Sequence, residues 1–456
     1  MNNVTRRHFL KTLGATTASF AMTSCHLGRT AIPHQNQRPN IVVILSDDHG
    51  IEDSGCYGNA VVQTPNIDRL ATEGLRFTRA FTATAMCAPS RSMFYTGLFP
   101  HRNGAHPNHS SIRPGVKTLP QYMGELGYKT ALAGKTHINP RASFPFEYIK
   151  LDEVDDYVSR VRSEPFCLVI ATHDPHGPYK RAKPGEGYDP AKVKLPPYLV
   201  DTPETRKVMA DYYNSVAALD EQVGEHLAVI DKYGLRENTL FIYTSDHGTG
   251  FPFAKWTVYD AGLNVPFIVR WPGHTKAGSA TDAMISFVDA LPTFIEAAAG
   301  APPEDLDGRS FLAVLDGHQR DHRECIFGTH TTKGIISGSE YPCRAIRTKT
   351  HKYIRNLNPD GTFTNVVTHG HDNDEANAAR YWKSWVRLGD SDTFAAERVK
   401  MYQQRPAQEL YDLRTDPYEL SNLAGDPAHE ELIKDLSARL KEWMTQQGDP
   451  ELPKMD

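Results

Sequence analysis

Five stretches of this chain are runs dominated by apolar, largely β-branched residues, and runs of that kind fit strands covered on both faces. They are Asn40–Leu45, Tyr128–Ala133, Phe166–Ala171, Thr239–Thr244 and Val265–Arg270. Helical patterns lie between several of them. From about Glu204 to Tyr233, Met209, Tyr213, Val216, Leu219, Val223, Leu227 and Ile230 recur at three- and four-residue steps. A second helix is predicted from about Val288 to Ala299. Buried strands alternating with helices predict an α/β fold, a large central and mostly parallel sheet flanked by helices. Near residue 325 the pattern changes. Cys343–Arg355 reads as strand segments, Glu409–Leu413 as a short strand before a turn at Asp416-Pro417, and about Pro427 to Gln446 as an amphipathic helix. This predicts a smaller C-terminal α+β subdomain over residues 326–456, attached to a main domain over 39–325. Residues 358–400 are polar and show no usable periodicity.

The first residues read as an address. Residues 5–11 are Thr-Arg-Arg-His-Phe-Leu-Lys, close to the ideal twin-arginine export signal. The uncharged stretch from Thr12 to Met22 is too short to span a bilayer. Residues 1–25 are therefore expected to engage the twin-arginine export machinery and deliver the chain to the periplasm. Met22-Thr-Ser-Cys25 loosely resembles a lipoprotein cleavage box, which leaves a lipid anchor on Cys25 open. Residues 26–38 read as a linker. No later run is apolar and long enough for a transmembrane helix. Without Cys25, five of the six cysteines remain, so at least one is outside any internal disulfide. The net charge of −5 argues against nucleic acid as a partner, since that needs a broad basic surface.

In open α/β sheets, ligands bind beyond the carboxyl ends of strands. Here those ends carry the chemistry. Asn40–Leu45 runs into Ser46-Asp47-Asp48-His49-Gly50, and Thr239–Thr244 into Ser245-Asp246-His247-Gly248. Phe166–Ala171 runs into Thr172-His173-Asp174-Pro175-His176, and Tyr128–Ala133 into Gly134-Lys135-Thr136-His137. Three carboxylates, Asp47, Asp48 and Asp246, repel one another unless a cation joins them. Oxygen ligands suit calcium, while the nitrogen of His247 leans toward zinc or manganese. His49 follows the acidic pair and is expected either to touch substrate or to support the metal ligands.

Residues 87–97 read Cys-Ala-Pro-Ser-Arg-Ser-Met-Phe-Tyr-Thr-Gly. Pro89 suits a first helical turn, so Cys87 is placed just ahead of a helix N-terminus, where free amides and the helix dipole favour an anion. Arg91 follows one turn later. This segment resembles the signature C-x-P-S-R-x-x-L-x-T-G of the formylglycine-dependent sulfatases, in the alkaline-phosphatase-like superfamily, with Phe94 in the leucine place. The resemblance extends over nearly the whole chain from Pro39. It includes Thr64–Leu70, Gly134-Lys135-Thr136-His137, Thr244–Gly248, Tyr259–Pro266 and Glu409–Leu423. Asn264 stands where many members carry arginine. Within the family, His173-Asp-Pro-His176 and Tyr341–Asn358 are similar to the N-sulfoglucosamine sulfohydrolase and polysaccharide sulfatase branch.

The resemblance implies that a formylglycine-generating enzyme oxidises Cys87 to formylglycine, whose hydrate is the nucleophile. It implies Ca2+ held by Asp47, Asp48, Asp246 and His247 together with residue 87. Arg91, Lys135 and Lys255 would offset charge on the sulfuryl oxygens, and His137, His173 or His176 would protonate the leaving alcohol. The expected substrate is a sulfated oligosaccharide or polysaccharide, either algal such as ulvan or heparan-like. Arg344, Arg347, Lys349, Lys352 and Arg355 form a basic strand segment that is either a subsite for such a polyanion or a solvated strand face. Two other readings stay open at this point: a phosphodiesterase or phosphonate monoester hydrolase of the same superfamily, and a non-catalytic glycan-binding relative.

Overall fold

The computed structural model describes residues 38–180, 187–335, 340–369 and 378–455. The export signal, Cys25 and the linker up to residue 37 lie outside the described residues. Residues 38–456 form one compact unit.

Its main sheet has nine strands: β1 (Asn40–Asp47), β2 (Leu75–Phe81), β3 (Lys129–Gly134), β4 (Glu147–Ile149), β5 (Phe166–Pro175), β6 (Thr239–Ser245), β7 (Asn264–Arg270), β8 (Ser279–Thr281) and β9 (Ile285–Ser286). The spatial order is β4-β3-β5-β1-β6-β7-β2-β8, with β9 beside β2. β1 is central, Ile41 lying opposite Cys167 of β5 on one side and Leu240 of β6 on the other. All pairings among β1, β3, β4, β5 and β6 are parallel. β7 is the exception and runs against both β6 and β2.

Alternation along β1 separates two layers, as period-2 geometry demands. Ile41, Val43 and Leu45 pack on one face with Phe94, Leu291 and Phe294, residues of the helices Cys87–Thr96 and Ala290–Ala297. Val42 and Ile44 pack on the other with Leu219, Val223, Leu227 and Ile230. Those four belong to the helix Pro203–Lys232, whose Thr202 cap accepts a hydrogen bond from Thr205 N at 3.1 Å. Because both faces are covered at its centre, β1, β5 and β6 can be continuously apolar, and it is the strand ends there that open toward solvent.

A second, antiparallel sheet follows: β10 (Cys325–His330), β11 (Cys343–Thr348), β12 (His351–Asn356) and β13 (Gln408–Asp412). The helix Glu430–Gln447 lays Leu436, Leu440, Trp443 and Met444 on Ile346, Tyr353 and Leu410. Between β12 and β13 the polar stretch contains the helices Val366–His369, Ala378–Gly389 and Thr393–Gln403. The five cysteines from Cys56 onward are all free thiols.

Neither sequence reading of the basic strand segment holds for Arg344, Arg347 and Lys352. Arg344 is fully buried and binds Asp449 (Nη2 to Oδ1, 2.8 Å). Arg347 pairs with Asp260 at 3.0 Å, and Lys352, also fully buried, reaches Asp260 at 2.8 Å and Glu419 at 3.1 Å. Lys349 lies on Asp321. The reason is that both faces of this sheet are covered, so Arg344, Arg347 and Lys352 are internal ties between the sheet, the chain's end and the main layer, whereas Lys349 and Asp321 are a part-exposed pair.

Candidate active site

The four strand ends meet. Asp47 and Asp48 end β1, Asp246 and His247 follow β6, Lys135 and His137 follow β3, and His173 and His176 lie at the end of β5. Cys87 starts the helix Cys87–Thr96, which points its first turn at these ends. Sequence reasoning put Cys87 just ahead of this helix. It is instead the first helical residue, with Met86 as a cap that offers no side-chain acceptor. Amides of the first turn are thus left for another acceptor.

The signature residues hold this helix in place. Ser90 Oγ donates to Asp246 O at 2.5 Å and exchanges a hydrogen bond with Thr82 Oγ1 at 2.8 Å. Arg91 Nε donates to Asp246 Oδ2 at 2.9 Å, and its Nη1 to Lys135 O at 3.3 Å. Its Nη2 is buried and has no hydrogen-bond acceptor. Two glycines are needed for close approach: a Cβ on Gly248 would stand 1.9 Å from Ala261 O, and one on Gly134, at φ +82°, would stand 2.3 Å from Ala171 O. Only glycine lets the chain turn there and launch Asp246-His247 and Lys135 into the site.

Cys87 Sγ lies 3.5 Å from Asp47 Oδ1 and 3.3 Å from His247 Nε2. His247 Nε2 lies 3.4 Å from Asp48 Oδ1. Lys255 Nζ donates to both oxygens of Asp48 at 2.8 Å, and Lys135 binds Asp47. Asp47, Cys87, Asp246 and His247 form one set whose ligating atoms all lie within 4.8 Å of one another, and Asp47, Asp48, Cys87 and His176 form a second. Acidic, cationic and sulfur groups are therefore interleaved in a space out of water.

The electrostatics follow from that crowding. Burial, then Cys87, Asp246 and Asp48, push the Asp47 carboxyl up to about 8. Burial would also raise Asp48, but Lys255, His176 and His247 bring it down to about 2. Burial opposes the charge on His247 as well, yet Asp246, Cys87 and Asp48 hold its imidazolium up to about 9. Burial works against the Cys87 thiolate, and Lys255 and Lys135 still lower the thiol to about 6. Three carboxylates, Cys87 and His247 are thus brought around one buried space, with burial the largest cause of the raised Asp47. A divalent cation fits this donor set.

Beyond these groups opens a cleft of about 530 Å³, whose walls include His109, His137, His176, Trp256 and Tyr381. His176 Nε2 is 3.9 Å from Asp48 Oδ2, whereas His173 is exposed and does not line the cleft. His49 is fully buried and meets Tyr243 Oη at 2.5 Å and Asp53 O at 3.0 Å, so it supports the β1 loop from behind and does not reach substrate. Sequence reasoning missed Asn108 and His109. The one signal available was a histidine-rich stretch, His101, His106 and His109, shortly after the signature.

Comparison with known proteins adds to the geometry. The family profile described as Sulfatase matches residues 39–148 and 147–301, and that described as N-sulphoglucosamine sulphohydrolase, C-terminal, matches residues 247–380. An ulvan-active sulfatase of Formosa agariphila is 37% identical over 91% of this chain and 81% of its own. Human N-sulphoglucosamine sulphohydrolase is 28% identical over 90% of this chain and 91% of its own. Among solved structures, a protein in complex with its substrate D-glucosamine-2-N,6-O-disulfate superposes with TM-score 0.68 at 23% identity, covering 91% of this chain and 99% of that one. The phosphonate monoester hydrolase of Silicibacter pomeroyi has TM-score 0.68 at 18% identity, covering 91% and 96%.

Proposed function

The chain belongs to the sulfatase family, and from that premise we propose that it removes sulfate from a sulfated glycan, with formylglycine at position 87 and calcium as its resident groups. The observation that carries this reading is the position of Cys87 Sγ, 3.5 Å from Asp47 and 3.3 Å from His247, at the start of a buried helix. The substrate class rests on the likeness to an ulvan-active sulfatase and to an N-sulphoglucosamine sulphohydrolase.

When bound, calcium would supply countercharge to Asp47, Asp48 and Asp246 and polarise a sulfate oxygen, and an oxidised residue 87 would supply the attacking hydroxyl. The remaining chemistry belongs to side chains already in place. Lys135 and Lys255 now serve as countercharges to Asp47 and Asp48. With a divalent ion held by those carboxylates, both ammonium groups would be available as donors for sulfuryl oxygens. Arg91 Nη2, buried and without an acceptor, is a third donor fixed in advance by the grip of Asp246 on Nε. Fixed donors of this kind stabilise charge as it develops, at no cost of reorganisation. Of the two histidines at the end of β5, His176 faces the cleft and is the nearer group to protonate a leaving alcohol.

Export to the periplasm through the twin-arginine signal suits an enzyme acting on external polysaccharide, and we carry that localisation forward as part of the proposal. The test is mass spectrometry of the peptide containing residue 87, from protein made with a formylglycine-generating enzyme, followed by assays on ulvan and heparin oligosaccharides. Turnover is expected from modified protein only, and both Cys87→Ala and calcium chelation should abolish it. Full activity after either change refutes the mechanism. Matched sulfate and phosphate esters separate this reading from a phosphonate or phosphodiester hydrolase on the same fold.

A further inference from the structure

We propose that His109 is a positioning residue: with Asn108 it fixes His137 in the tautomer that carries its proton on Nδ1, so that His137 offers the cleft an uncharged hydrogen-bond donor. Its catalytic consequence rests on the reading of the cleft as a sulfatase centre; the relay itself does not.

The argument is one of donors and acceptors. Asn108 Nδ2 lies 3.0 Å from His109 Nε2. An amide nitrogen only donates, so His109 Nε2 accepts. A neutral imidazole that accepts at Nε2 carries its proton on Nδ1. His109 Nδ1 stands 2.8 Å from His137 Nε2, so it donates there, and His137 must carry its own proton on Nδ1. That Nδ1 is buried and has no hydrogen-bond partner, on a side chain that lines the cleft. A buried donor left open beside a binding cleft is a group awaiting a ligand acceptor.

Backbone conformation supports the same conclusion. His109 has φ +62° and His137 φ +45°, left-handed conformations that are rare for residues other than glycine. The two rings pack at 4.7 Å between centroids. Two strained residues from separate loops, held ring to ring at the edge of the cleft, indicate a positioned pair rather than an incidental contact. The surroundings of both rings disfavour the charged form. Burial, then Lys135 and Arg91, bring His137 down to about 3, and burial, then His137, lower His109.

His137 is consequently a donor to a sulfuryl or ester oxygen and not a store of a transferable proton. That separates its role from the acid at the end of β5 and replaces the expectation that it protonates the leaving group.

The experiment is long-range proton–nitrogen correlation on protein labelled at the histidine ring nitrogens, for the wild type, His109→Phe and His109→Gln, together with steady-state kinetics on a sulfate ester. In the wild type, His137 is expected to show a protonated Nδ1 and a bare Nε2. His109→Phe keeps the ring packing but removes the donor. There the proton should move to Nε2, and kcat should fall about 10- to 100-fold with KM changed less than about twofold. Glutamine can still donate to His137 Nε2 and should recover much of the loss. A wild-type His137 protonated on Nε2, or an unchanged kcat in His109→Phe, overturns the proposal. The wild-type spectrum decides even if the phenylalanine variant does not fold. The expected spectrum in a protein that hydrolyses no sulfate ester would uphold the relay and refute the proposed function.

Discussion

Lys352 provides a direct test of the claim that Arg344, Arg347 and Lys352 of the second sheet are internal ties. Its side chain is fully buried, 2.8 Å from Asp260 and 3.1 Å from Glu419. Lys352→Met keeps the aliphatic stem and removes the charge, leaving the part-buried Asp260 carboxylate to Arg347 and the buried Glu419 carboxyl to the backbone amide of Asp260. Breaking a buried pair in this way costs about 3–5 kcal/mol. The entropy of unfolding is about 2.1 cal/mol/K per residue, so a unit spanning residues 38–456 carries roughly 0.9 kcal/mol/K, and the loss becomes a fall in Tm of about 3–6 °C. The fall should grow with pH. Burial pushes Glu419 up to about 8, against the pull of Lys352, above its unfolded value of 4.5. Its ionisation therefore costs folded-state stability as pH rises toward 8. Removing Lys352 raises that pKa further, so the gap between wild type and variant widens above pH 8. Scanning calorimetry at pH 6 and pH 9 measures both effects, and Lys352→Met with Glu419→Gln should recover part of the pH 9 loss. A variant with unchanged Tm, or a loss equal at both pH values, refutes the buried-tie account. A large rise in KM for glycan with no stability loss would revive the subsite reading.

Two further outcomes are expected. Gly248→Ala places a Cβ 1.9 Å from Ala261 O, so the Asp246-His247 turn must shift; a loss of at least about 2 kcal/mol and a weakened calcium dependence of Tm should follow, by calorimetry with and without the ion. His226, buried in the helix Pro203–Lys232, is lowered by burial to about 4 from 6.5, so the unfolded chain takes up its proton first and stability is lost as pH falls from 6.5 to 4. His226→Leu should lose about 3 kcal/mol less than wild type over that window, and parallel acid-denaturation curves for the two proteins would refute it.

What was legible in the sequence was whatever burial alone dictates. A strand covered on both faces must be apolar throughout, so β1, β3, β5, β6 and β7 announced themselves, and their carboxyl ends named the site. β7 was visible as a strand but not in its direction, because a run buried on both faces reads the same either way. β2 was missed because its sequence, Leu-Arg-Phe-Thr-Arg-Ala-Phe, mixes arginines with apolar residues where the sheet is only partly covered. The helix Ala378–Gly389 was obscured for another reason: it lies in a polar stretch, and its buried Trp382 and Trp385 join a core built from distant segments.

The same distinction explains which site residues sequence could supply. Asp47, Asp48, Lys135 and Asp246 are charged groups where buried strands end, a costly setting visible in one dimension, while Cys87 and Arg91 stood out through the signature and Lys255 through the resemblance alone. His109 is different. It sits in a loop, is half open to solvent, and acts through one hydrogen bond to a residue twenty-eight positions away. Nothing in its neighbourhood in the sequence sets it apart from His101 or His106, which are packed together elsewhere, with Thr329. Only the partner each ring meets separates a positioning histidine from a structural one, and the partner is chosen by the fold. A site of this kind is therefore read in two passes: sequence gives the groups that carry charge, and structure gives the neutral groups that decide where each proton sits.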